Sequence, residues 1–246
     1  MIVGIFDSGL GGLTVVKEFK RKIPNASFIY LGDTARVPYG TRSAETIRKF
    51  AEEDTQFLVD KNVDLILVAC NTVSSLAIDV VKKQSSVPVY SVIEPAIRKA
   101  LDITKNNKIG LVGTRATVNS DAYKEVILRS HASMLVPLIE EGFISGPELD
   151  LFIARYLAGF IAKVDTLILG CTHYSIIKDQ ISNYLGGSID LVDPAVELVN
   201  EISSKIIVDD KSIEKYYLTD VNKRFLETAQ MFLGEDISNK TEKVSL

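Results

Sequence analysis

Cys70 and Cys171 are the only cysteines in 246 residues, and each ends an aliphatic run, LILVAC-Asn71-Thr72 in one place and LILGC-Thr172-His173 in the other. Both would therefore stand at the carboxyl end of a buried strand, where open α/β sheets bind their ligands. One cysteine so placed is usually a small hydrophobe. A matched pair suits proton exchange across one carbon: a thiolate removes a proton from one face, the opposite thiol supplies one to the other, and the centre inverts. A free thiol of pKa about 8.5 is only about 3% ionised at pH 7, so full ionisation needs about 2 kcal/mol of help. A helix N-terminus just beyond each cysteine is one source. His173, two positions past Cys171, is the natural acid–base partner for the second sulfur.

Two further loops follow predicted strands. Asp7-Ser8-Gly9-Leu10-Gly11-Gly12 lacks the third glycine of a dinucleotide fingerprint and the Lys-Ser/Thr ending of a P-loop. Its glycines still allow close backbone approach, so a substrate carboxylate is expected on its amides and on the Ser8 hydroxyl. Asp7 reads equally as a helix cap or as a base serving a cysteine. Asp33 opens a second loop that ends in the turn Pro38-Tyr39-Gly40, placed to close over a ligand.

Composition narrows the class. An apolar fraction of 46% suffices for one or two packed cores. With 28 Lys and Arg against 32 Asp and Glu, a net charge of −4, nucleic acid is not expected as a primary ligand. The opening MIVGIF reads as a strand and not as a secretory signal, and no apolar run reaches membrane-spanning length, so a cytoplasmic protein is expected. Two cysteines and two histidines, His131 and His173, argue against a disulfide scaffold and against a structural metal centre.

The elements that must position these residues are short aliphatic runs at 2–6, 27–32, 64–70, 87–93, 108–113, 165–171 and 189–193. They alternate with amphipathic stretches predicted helical at 12–22, from Ser43 to about 62, and at 73–84, 95–105, 118–131, 147–163 and 194–207. This is an α/β pattern of parallel strands with helical crossovers. A weak internal repeat is superposed on it. The cysteine segments lie 101 positions apart (171 − 70), VGIFDSG matches IGLVGT at 106 (110 − 4), and Glu94-Pro95-Ala96 matches Asp193-Pro194-Ala195 at 99 (193 − 94). Two similar domains with mainly parallel sheets follow, related by quasi-twofold symmetry, with the active site between them. The first comprises 1–94 and about 205–246, the second 95–204. Each acid-Pro-Ala segment is expected to cap a helix with proline at its first position and to carry the chain between domains.

Taken together, DSGLGGLTV at 7–15, GDTARVPYGTRS at 32–43, CNTVS at 70–74, VPLIEEG at 136–142 and GCTHY at 170–174 resemble the bacterial glutamate racemases, in order and across most of residues 1–200. The resemblance implies racemisation of glutamate without pyridoxal phosphate, metal or nucleotide, supply of D-glutamate for peptidoglycan, and commonly a homodimer. It makes Cys70 the base for D-glutamate and Cys171 the base for L-glutamate, assisted by Asp7 and His173 respectively. It also places Asp7, Ser8, Tyr39, Gly40, Asn71, Thr72, Thr172 and His173 around the amino acid. Asp33 and Glu140 fall on acidic positions of the family near the site, as assisting or structural groups. Where the family often has a Cys-Pro pair before VPL, this chain reads His131-Ala132-Ser133, outside the thiol pair. Alternatives are an aspartate or related amino-acid racemase, a two-lobed amino-acid binding protein without catalysis, and a dithiol redox protein. The last fits poorly with cysteines held in separate repeats instead of a Cys-x-x-Cys pair.

Overall fold

The computed structural model describes residues 1–209 and 212–246. Its strands are β1 (Ile2–Asp7), β2 (Ser27–Gly32), β3 (Leu65–Val68), β4 (Val89–Ser91), β5 (Ile109–Gly113), β6 (Leu128–His131), β7 (Thr166–Gly170), β8 (Asp190–Val192), β9 (Glu214–Leu218) and β10 (Thr241–Lys243). The helices are α1 (Leu13–Lys22), α2 (Ala44–Asp60), α3 (Asn71–Leu76), α4 (Ile78–Gln84), α5 (Ile93–Ile103), α6 (Arg115–Asn119), α7 (Leu135–Glu140), α8 (Pro147–Leu157), α9 (Lys178–Tyr184), α10 (Pro194–Ile202) and α11 (Lys223–Leu233).

Two parallel sheets result. The first runs β10-β9-β2-β1-β3-β4 and the second β6-β5-β7-β8. The second order is that of β2-β1-β3-β4 repeated, so the internal repeat in the sequence is a repeat of topology. The chain passes from β4 to β5 through α5 and returns from β8 to β9 through α10. Helices cover both faces of the first sheet, and successive side chains alternate between them. Phe28, Tyr30, Leu65 and Leu67 join one core, whereas Ile29, Leu31, Ile66 and Val68 join another packed under α2 and α4. The first of these cores continues without a break into the second sheet.

Local signals explain much of this. Ser43 caps α2 by accepting from the Thr46 amide at 3.2 Å, and Asp193 caps α10 by accepting from the Ala195 amide at 3.0 Å, with Pro194 first in the helix. The parallel with residues 94–96 fails in detail: Glu94 lies inside α5, which begins at Ile93, and its carboxylate accepts from Ser91 Oγ instead of capping. The helix predicted over 73–84 is two pieces broken at Ala77. Ser75 Oγ donates back to the Asn71 carbonyl at 2.7 Å, a bond that bends helices.

The helix predicted over 118–131 is wrong. Residues 128–131 are strand β6, paired with the edge of β5, and the preceding stretch is irregular. Arg129 satisfies that stretch, donating to the carbonyls of Val118, Ser120 and Tyr123 at 3.0, 2.7 and 2.6 Å. Sheet pairing and one guanidinium thus supply what helical hydrogen bonds would have supplied.

The tail, for which no motif was available, adds β9 and β10 to the first sheet and packs α11 against α1. Asn222 caps α11 by accepting from the Phe225 amide at 2.8 Å, and Gly234 ends it at φ 81°, a left-handed position suited to glycine. Phe225, Ala229 and Phe232 are its buried face. Phe232→Ala is expected to lower the unfolding free energy by about 3 kcal/mol, read from urea denaturation. A change within about 0.5 kcal/mol would mean that this tail contributes little to the fold.

Candidate active site

Strand ends of the two sheets meet around one cavity of about 290 Å3. Ser8, Tyr39, Gly40, Cys70, Asn71 and Thr72 line it from the first sheet's loops, and Glu140, Cys171, Thr172 and His173 from the second. Asp7 and Asp33, the other predicted site residues, are not in the lining. Thr114, Arg115, Ser133, Val136 and Pro137 are lining residues that the sequence reading missed. For Thr114 a signal existed: it occupies the place of Ser8 in the second repeat (114 − 8 = 106). Its hydroxyl lies 3.1 Å from that of Thr72, across the two units.

The two thiols have different surroundings. Cys70 immediately precedes α3 and donates to Ser8 Oγ at 3.9 Å. Burial, and next to it the charge of Asp7, push this thiol well up, outweighing the nearby Val73 amide. The helix-terminus assistance expected from sequence therefore does not prevail at Cys70, which is held as a thiol. Directly beyond Cys171 the chain forms a 3-10 segment, Thr172–Ile177, in place of the expected α-helix N-terminus. What Cys171 has is a histidine, with Nδ1 of His173 3.8 Å from Sγ and Nε2 2.9 Å from Glu140 Oε1. Burial alone would lower the His173 pKa, yet its bonds to Cys171 and Glu140 raise it to about 10 from 6.5. A protonated imidazole thus stands against the second sulfur.

Of the two roles left open by the sequence, the structure shows the first for Asp7. Its Oδ2 accepts from the amides of Gly9 and Gly12 at 2.9 Å each, closing the loop at the start of α1. Those two amides are consequently occupied by an internal carboxylate, contrary to the expectation that a substrate carboxylate rests on them. Oδ1 is buried with no partner among the described residues. Burial raises the Asp7 pKa despite the amide bonds and the charge of His173. The glycines serve a tight junction. A Cβ on Gly12 would lie 2.3 Å from Asp7 Cβ, and one on Gly11 would lie 2.1 Å from Thr172 Oγ1 and 2.6 Å from His173 Nδ1.

Asp33 acts from behind the wall. Its carboxylate accepts from Tyr39, Arg36 and, at 2.9 Å, Thr219 of the tail. The Tyr39 hydroxyl oxygen also lies 3.1 Å from Asp54 Oδ2, and Arg36 reaches both Glu53 and Asp54 while its guanidinium covers the Phe50 ring at 4.1 Å. Asp54, fully buried, was missed although it sits on the apolar face of α2 with Ile47, Ala51 and Leu58. Burial and the charge of Asp33 drive its carboxyl well above the usual range. Among the described residues no group of three His, Cys, Asp or Glu side chains is placed to hold a metal ion, and no helix is long and apolar enough to cross a membrane.

The model of the Asp/Glu/Hydantoin racemase family matches residues 13–202. The chain belongs to that family. It is 42% identical to the glutamate racemase of Aquifex aeolicus, covering 98% of this chain and 97% of that one. It superposes on the crystal structure of Francisella tularensis glutamate racemase in complex with D-glutamate with a TM-score of 0.91 at 37% identity, covering 99% and 97%. The Picrophilus torridus aspartate racemase, at TM-score 0.58 and 18% identity over 85% and 96%, shares the fold. The resemblance read from the five motifs and the α/β class therefore hold.

Two outcomes follow. Gly11→Ala should lower racemase kcat/KM about a hundredfold, because a methyl group cannot fit between the loop and the Thr172–His173 turn; an unchanged rate would show that the units separate freely. His173 has a folded pKa above its unfolded one, so its pairing contributes fully below about pH 6.5 and is lost as pH rises through about 10. Melting temperatures should fall across that window more steeply for the wild type than for His173→Asn, and parallel curves would refute the pairing.

Proposed function

We propose that the chain interconverts L- and D-glutamate by two-base chemistry, with Cys171 as the base for L-glutamate and Cys70 as the base for D-glutamate. The observation that carries this reading is that two cysteines from the ends of β7 and β3, in different sheets, line a single cavity. The substrate is taken from glutamate racemases of about 40% identity and from the relative whose crystal structure holds D-glutamate.

In the L-to-D direction, Cys171 as thiolate takes the α-proton, its charge balanced by protonated His173, which Glu140 orients. Cys70, kept protonated by burial, delivers its proton to the opposite face and is left as the thiolate beside Ser8. Asp7 exchanges protons with Cys70 through its unpartnered Oδ1. The reverse reaction begins from that state. Tyr39, Gly40, Asn71, Thr72 and Thr172 hold the amino acid, and Asp33 and Asp54 hold Tyr39 in place. The product serves peptidoglycan synthesis, and a reducing cytoplasm suits a mechanism that needs both thiols free.

Incubation with L-glutamate in heavy water tests the proposal. The wild type should incorporate deuterium at the α-carbon while optical activity decays, and Cys70→Ser or Cys171→Ser should slow racemisation about a thousandfold. Tight glutamate binding without exchange would reduce the chain to a binding protein. Turnover of aspartate with glutamate inert would transfer the chemistry to another substrate.

A further inference from the structure

Asn71, in the cavity wall and 3% exposed, has only half of its amide satisfied. Its Oδ1 accepts from the Tyr123 hydroxyl at 2.8 Å, and its Nδ2 is buried with no partner among the described residues. Such a stranded donor beside a ligand cavity calls for an explanation. Tyr123 is not itself part of the lining. It is fully buried, and it comes from the irregular stretch before β6, whereas Asn71 begins α3 after β3. The bond therefore joins the two units. Arg129 fixes its far end by gripping the carbonyls of Val118, Ser120 and Tyr123.

The polarity of this bond runs one way. Burial, followed by the charges of Glu94 and Cys171, pushes the Tyr123 phenol far up, so it keeps its proton and needs an acceptor. Oδ1 supplies one. If the amide were turned over, Nδ2 would donate to the phenol oxygen and the phenolic proton would itself be stranded in the interior. We infer that Tyr123 is a positioning residue for the racemase reaction, holding Asn71 by Oδ1 so that Nδ2 is left as a donor for a carboxylate oxygen of the substrate. This rests on the reading of the cavity as an amino-acid site. It adds a residue from outside every recognised motif, acting on substrate through Asn71 from the opposite unit.

A double-mutant cycle tests it on the full chain, with kcat and KM measured for both glutamate enantiomers in the wild type, Tyr123→Phe, Asn71→Ala and the double variant. Phenylalanine preserves the buried ring, and thermal melts identify any loss of folded protein. Tyr123→Phe should raise KM on the order of tenfold, the scale of one hydrogen bond, with a smaller effect on kcat. In the Asn71→Ala background the same change should have no further effect on KM. An unaltered KM in Tyr123→Phe, or an equal rise with and without Asn71, would overturn the inference while leaving the racemase reading intact. A wild type inert towards glutamate would remove both.

Discussion

The site depends on how closely the loop after β1 can approach the turn after β7. Strand ends from two sheets can share one small cavity only if the loops between them pass without side chains in the way, and at Gly11 there is no room for a single methyl group. The Thr14 hydroxyl donates to the Thr172 carbonyl at 3.3 Å across that junction, and beyond it the Thr72 and Thr114 hydroxyls pair at 3.1 Å and Tyr123 donates to Asn71 at 2.8 Å. Each joins one repeat to the other. The core shared by the two sheets holds Cys171, and Cys70 sits in the other core under α2 and α4, so the positions of the two sulfurs are set by packing that extends well beyond the cavity.

Topological symmetry does not carry over into electrostatics. In the repeat, His173 takes the place of Thr72 (173 − 72 = 101), and Asp7 takes the place of Gly113 (113 − 7 = 106). One thiol accordingly faces a buried carboxyl group and the other a protonated imidazole backed by a carboxylate. A symmetric scaffold thus carries asymmetric partners, a carboxyl group near one sulfur and an imidazole 3.8 Å from the other.

Behind the wall, Asp33, Asp54, Arg36 and Tyr39 form a second layer. Three carboxylates, counting Glu53, surround a single guanidinium, and burial raises Asp54 accordingly. The cost of holding such groups away from water is offset by complete hydrogen bonding around the Tyr39 hydroxyl. That network gives the 34–42 loop a fixed shape at the cavity, and Thr219 ties it to the tail.

Residue types and their order in the chain were enough to find the α/β class, the repeat, the thiol pair and the His173 partnership, since these rest on strand-length apolar runs and on short spacings. Ser43 and Asp193 were legible as caps for the same reason. Residues 118–131 were misread because local helical character yielded to the open edge of β5; the repeat itself pointed to a strand there, with Leu128 lying 101 positions after Ser27 (128 − 27). Asp54 and Tyr123 carry no local signal of their partners, which lie 21 and 52 positions away at Asp33 and Asn71 (54 − 33 and 123 − 71). Their roles were decided by tertiary structure alone, because the acceptor of a buried hydroxyl or the charge felt by a buried carboxyl depends on which distant segments packing brings together.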